Sequence, residues 1–106
     1  MFSEYQWKYD PAVLAWCERV VTRIVGTNRH GWTRKGSWME HGKDQRRIAL
    51  APHKAGLSIY FTSNDGSPAM YQEMGGICRV GKCVIRVDFG KSYDEELLSY
   101  IIGRYL

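Results

Sequence analysis

The sequence predicts one α+β domain: an antiparallel sheet of about four strands, N- and C-terminal helices packed on one of its faces, and a short inserted helix. Three observations predict it. The chain has 106 residues, the size of a single domain. Several segments alternate apolar and polar residues, each showing one apolar face. Long three- and four-residue apolar periodicity occurs only near the two ends. One-sided strands suit an antiparallel sheet with helices on a single side. Hydrophobic residues make up 44% and charged residues 25%, a globular balance that argues against disorder.

The elements follow in order. In residues 2–9, Tyr5, Trp7 and Tyr9 are spaced two apart, so an extended arm would place them on one side. Asp10-Pro11 starts a helix: the carboxylate accepts from an orphan N–H, and proline at the first position has none to lose. Val13, Leu14, Cys17, Val20, Val21, Ile24 and Val25 form its apolar stripe, and Gly26 stops it. Residues 27–31 read as a polar loop. Trp32–Met39 reads as one strand weakened by Gly36, and His41–Gln45 as a turn. Arg46–Ala51 and Gly56–Thr62 read as strands joined by a turn over Pro52–Ala55. Asn64-Asp65-Gly66 is turn chemistry, and Ser67-Pro68 opens a short helix that Gly75-Gly76 ends. Val84–Phe89 is a fourth strand. Ser92-Tyr93-Asp94-Glu95 fits a capping box ahead of a closing helix with Leu97, Leu98, Ile101 and Ile102 inward. The uncovered sheet face is then expected to carry Arg47, Ser58, Tyr60, Arg86 and either Trp32 or Trp38.

Function classes narrow by exclusion. No apolar run approaches the ~20 residues of a membrane span. The N-terminal residues lack the basic start and apolar run of a signal peptide, so a cytoplasmic protein is expected. Three cysteines, Cys17, Cys78 and Cys83, are expected reduced, with Cys17 acting as a buried small hydrophobe. His30, His41 and His53 share no ligand spacing with them, so no metal is expected. Gly76–Cys83 resembles a phosphate loop, but Cys83 stands where a hydroxyl should hold magnesium, and a strand follows instead of a helix. No Gly-x-Ser-x-Gly elbow supports a hydrolytic triad. No catalytic residue, cofactor or metal ligand is assigned, and the chain is not expected to be an enzyme.

Charge is unevenly placed. Formal net charge is +4, yet residues 29–54 hold seven bases (Arg29, Arg34, Lys35, Lys43, Arg46, Arg47, Lys54) against Glu40 and Asp44. One reading is a solvated face; the other is contact with an anionic partner. Aromatic and arginine side chains are the usual anchors of interfaces. The expected partner-binding residues are therefore Arg34, Lys35, Trp38, Lys43, Arg46 and Arg47. An acidic protein surface is the expected partner, with nucleic acid the alternative because Trp32 and Trp38 interleave the cations. Homodimerisation through the N-terminal arm or the exposed sheet face is a further expectation.

Residues 46–104 carry a resemblance. The run Ile48-Ala49-Leu50-Ala51-Pro52-His53-Lys54-Ala55-Gly56-Leu57-Ser58-Ile59-Tyr60-Phe61, then Met74-Gly75-Gly76, then Val80-Gly81-Lys82-Cys83-Val84-Ile85-Arg86 and a capped helix near Asp94, resembles the YdhG-like family. That resemblance implies a small cytosolic α+β protein. Some members are likened to frataxin-type iron chaperones, which implies an acidic ridge of oxygen ligands on the first helix. Here that helix offers Glu18, with Asp10 at its cap, among Arg19 and Arg23, so no ridge carries over.

Overall fold

The computed structural model describes residues 1–26, 30–62 and 66–106. Arg29, the polar loop expected at 27–31 and the turn at Asn64-Asp65 fall wholly or partly outside the described residues. The first helix, α1, spans Pro11–Val25. Asp10 caps it by accepting from Ala12 N at 2.7 Å, and the Gly26 N–H closes its last turn on Thr22 O. Four strands follow: β1 Thr33–Lys35, β2 Trp38–His41, β3 Ile48–His53 and β4 Gly56–Phe61. A short helix, α2, covers Ser67–Glu73. Then come β5 Arg79–Val80, β6 Val84–Asp88 and the closing helix α3, Glu95–Gly103.

The α+β class and the antiparallel sheet agree with the sequence, but among the described residues the sheet has six strands, ordered β1-β2-β3-β4-β6-β5, every pair antiparallel. Two strands escape the periodicity argument for physical reasons. Residues 32–39 do not form one strand: Gly36 adopts a φ of 62°, open to glycine, and folds the segment into a hairpin. Arg79–Val80 is too short to show any alternation, and pairs with Arg86 and Ile85 only through the return of the chain at Gly81. Boundaries shift as well. A 3-10 turn at Asp44–Arg46 delays β3 to Ile48. Pro52 lies inside β3, two residues beyond the last β2 pairing at Leu50, where its missing N–H costs no ladder bond to that strand.

Register explains the two faces. Arg34, Met39, Leu50, Ile59, Ile85 and Val80 stand in one row across the sheet, and all but Arg34 are apolar. This face packs against Val13, Cys17, Val20, Val21 and Ile24 of α1 and Leu98, Ile101 and Ile102 of α3. The adjacent row, Thr33, Glu40, Ala49, Tyr60 and Val84, points the other way, as does the row Ala51, Ser58, Arg86 and Arg79. Cys17 is buried in the core, with its Sγ 3.4 Å from Gly56 O, and burial pushes its thiol up to about 12.

The α3 start departs from the capping box. The N-cap is Asp94, not Ser92, and its carboxylate caps nothing. It accepts instead from the Tyr71 hydroxyl and from Ile77 N at 3.0 Å, while the Tyr71 oxygen accepts from Cys78 N at 2.8 Å. One buried phenol thus ties the α2–β5 segment to α3. Burial, then the bond to Asp94, raises the pKa of Tyr71; burial is also the main cause that raises the thiol of Cys78. That is the environment of a structural cysteine, not of a reactive one.

Candidate binding face

The expected arm divides. Phe2 is fully buried, and Trp7 is partly buried with its Nε1–H donating to Phe2 O at 2.8 Å. Tyr5 and Trp7 share one neighbour, but Tyr9 turns away and lines the uncovered face of the sheet. On that face a groove of about 500 Å³ runs over the sheet. Ala49 and Ala51 form a small-residue floor, and Trp38, Tyr60, Tyr9, Glu40 and Arg47 rise around it, with His53 and Pro52 at one end. Trp38 and Tyr60 remain 40% and 39% exposed, high for rings on a sheet. Ala49 creates the relief, standing between Glu40 and Tyr60 of the neighbouring strands, and Ala51 lies opposite the small Ser58.

The six residues expected to bind a partner do not share one surface. Lys35 lies directly opposite Trp38 in the β1–β2 hairpin, and Arg47 lines the same groove, 3.7 Å from the Glu40 carboxylate. These three belong together. Arg34 lies on the helix-covered side, its guanidinium 4.4 Å from the Trp7 ring centroid and 5.6 Å from that of Tyr5. Arg46 turns toward the C-terminal residues, donating to Arg104 O and standing 5.9 Å over Tyr105. Lys43 sits in the turn that precedes the 3-10 segment. Arg34 and Arg46 therefore clasp the two terminal segments through ring and carbonyl contacts, a use that charge counting along the chain does not reveal. Trp32 also lies away from the groove, beside Met39 and tilted against His41 with ring centroids 5.0 Å apart.

Sequence reasoning missed two features of the open face. Arg79 forms a two-point bond to Asp88, at 2.9 and 2.6 Å, across the β5–β6 pair. Arg79 holds the Asp88 carboxyl below the usual carboxylate range. His53 and Ser58 also meet: Nε2 is 3.0 Å from Ser58 Oγ, while Nδ1 accepts the Ala55 N–H at 3.2 Å. An accepting Nδ1 leaves the proton of the neutral ring on Nε2, so His53 donates to Ser58. The serine is receiving a proton bond, the reverse of what activates a nucleophile. Hairpin position 53 and strand position 58 are five residues apart, and only the register of β3 and β4 brings them together.

Burial lowers the pKa of His53, Arg86 and Arg79 add to the effect, and Asp88 opposes it. The unfolded chain therefore takes up this proton more readily than the folded one, so stability falls as pH drops below the unperturbed 6.5. Urea midpoints measured from pH 7.5 to 5 should decrease for the wild type, and His53→Gln should flatten that decrease. An equal slope in the variant rules His53 out as the source.

Comparison of the chain with protein-family models, with curated proteins and with solved structures gives no match. Among the described residues, no helix is long and apolar enough to cross a membrane.

Proposed function

We propose that this chain is a non-enzymatic binding module, an adaptor or inhibitor that takes an acidic segment of another protein on its open sheet face. The observation that supports this reading most is the exposed pair Trp38 and Tyr60, standing over the Ala49–Ala51 floor with Arg47 in the same groove and Lys35 opposite Trp38 on β1. Rings on a rigid sheet supply contact area at low entropic cost, and the neighbouring cations select for negative charge.

Charge arithmetic favours protein over nucleic acid. This face offers Lys35, Arg47, Arg79 and Arg86, of which Arg47 faces Glu40 and Arg79 faces Asp88. Among the described residues that leaves two unmatched cations, enough to orient an acidic peptide. They give a salt slope of only about −2 for nucleic acid, where tight phosphate binders show several times that. Single-stranded nucleic acid stacking on Trp38 and Tyr60 is the second reading, favoured by those same rings.

Affinity capture with nuclease treatment separates the two. The combined variant Lys35→Glu, Trp38→Ala, Arg47→Glu should lose a protein partner that the wild type keeps after nuclease, with an unchanged circular-dichroism spectrum. A partner retained by the variant, or released by nuclease, contradicts the proposal. Arg46 does not belong in the test, since its substitution disturbs the C-terminal residues directly.

A further inference from the structure

A second concavity, of about 580 Å³, lies on the far side of the molecule between the N-terminal segment and the exposed side of α1. It shares no residue with the open-face groove. Its chemistry is graded along the helix. Tyr5 and Trp7 line it together with Pro11 and Leu14 from the first turns of α1, and Arg19 and Arg23 line it from the last turns. From Pro11 to Arg23 the helix advances about 18 Å at 1.5 Å per residue. One end is thus apolar and the other cationic.

The structure holds the aromatic half in place and leaves the cationic half open. Arg34 stacks on the far rings, at 4.4 Å from Trp7 and 5.6 Å from Tyr5, and the Trp7 indole N–H is fixed on Phe2 O. Arg19 is exposed, and Arg23 keeps 63% of its side chain in solvent despite a 3.6 Å approach to Glu95. A wide, weakly held pair of that kind leaves the guanidinium available to a better anion. The Glu18 carboxylate, also at the groove, is engaged by the Met1 amine and by Phe2 N, so it does not oppose an incoming negative charge alone.

We infer that this groove binds a single-chain amphiphilic anion, a long-chain carboxylate whose tail lies along Trp7, Pro11 and Leu14 and whose headgroup meets Arg19 and Arg23. A wholly apolar ligand would leave the cations unused. A short anion would leave the aromatic end uncovered. A carboxylate can also take two parallel bonds from one guanidinium.

The probe is monomeric dodecanoate, added to uniformly 15N-labelled full-length chain below its micelle concentration, with dodecylammonium as the reversed-charge control. The indole N–H signals report position, because Trp7 lies in this groove and Trp38 in the other. Dodecanoate should shift the Trp7 indole saturably and leave Trp38 in place. Dodecylammonium should bind at least tenfold more weakly. Arg19→Glu with Arg23→Glu should lower dodecanoate affinity at least tenfold, and Arg19→Gln, a milder change on an exposed site, should give an intermediate loss. Equal binding of both amphiphiles, a shift of Trp38 instead of Trp7, or binding only to anionic phospholipid vesicles overturns the inference. So does a dodecanoate affinity that the arginine substitutions leave unchanged, or Trp7 shifts that arise from self-association, read by sedimentation. The open-face reading stands or falls separately, on Trp38.

Discussion

Gly56→Ala should destabilise the protein by about 2–5 kcal/mol, the combined scale of left-handed strain and of overpacking. Gly56 opens β4 with a φ of 143°, a conformation that side chains rarely adopt. A Cβ there would collide with Val87 O and lie 2.8 Å from Phe89 N. Both neighbours are backbone of β6 and its exit, so relief requires β6 to move away from β4. That movement would break the pairing of Gly56 with Asp88 and of Leu57 with Val87, and would loosen the bond from Cys17 Sγ to Gly56 O. Thermal unfolding should show a midpoint lower by on the order of 10 °C or more. An unchanged midpoint would mean that β6 does not press on the hairpin as described. Gly36, by contrast, has open space where an alanine methyl would stand, with no atom within 4 Å, so the cost of Gly36→Ala is confined to its backbone angle.

Tyr71→Phe should cost about 1–3 kcal/mol although it removes a single oxygen. The phenol is fully buried, donates to Asp94 and accepts from Cys78 N. Without it the Cys78 N–H loses its acceptor, and the Asp94 oxygen keeps only the Cys78 thiol at 3.8 Å. Tyr71→Ala adds the lost ring and should cost about 3–5 kcal/mol. Asp94→Asn should also destabilise, because its single amide oxygen cannot accept from both the Tyr71 hydroxyl and Ile77 N, and its NH2 then faces a donor. Urea unfolding of the three variants gives the order. If Tyr71→Phe were as stable as wild type, the link between α2, β5 and α3 would have to reside elsewhere. Gly76 belongs to the same knot, since a Cβ there would collide with the Tyr71 ring.

The parts of this architecture that announce themselves in the sequence are those where one physical signal dominates. Asp10-Pro11, the apolar stripe through Val25 and the stop at Gly26 coincide with α1, because capping, periodicity and termination agree there. The alternation read in Arg46–Ala51 and Gly56–Thr62 assigns Leu50 and Ile59 inward and Ala49 and Tyr60 outward, as their register bears out. Where signals compete, the reading fails. Ser92 and Glu95 have capping-box spacing, but Asp94 is drawn to Tyr71 and Ile77, partners that only the tertiary fold supplies. Gly36 reads as a weak spot in a strand because a two-strand hairpin with short arms leaves almost no alternation to count.

The binding face is half legible for a similar reason. Trp38 opens β2 and Arg47 immediately precedes β3, and each stands next to a buried residue, Met39 or Ile48, that faces the core. Arg34 and Arg46 are as basic and as close in sequence, yet one faces the opposite side of β1 and the other belongs to a 3-10 turn. Charge density along a chain cannot distinguish a cation that greets a partner from one that clasps its own terminus. The Ala49–Ala51 floor does carry a signal: two small residues at alternate positions of a central strand imply relief on that face.

The four tryptophans sit at separate places: Trp7 beside the N-terminal groove, Trp16 against Phe89, Trp32 against His41, and Trp38 on the open face. The most direct measurement is the 15N indole spectrum of the labelled chain before and after addition of its captured protein partner. Binding through the open sheet face predicts that the Trp38 signal moves or broadens while Trp7, Trp16 and Trp32 keep their positions. A spectrum in which Trp38 stays fixed and any of the other three responds would contradict it.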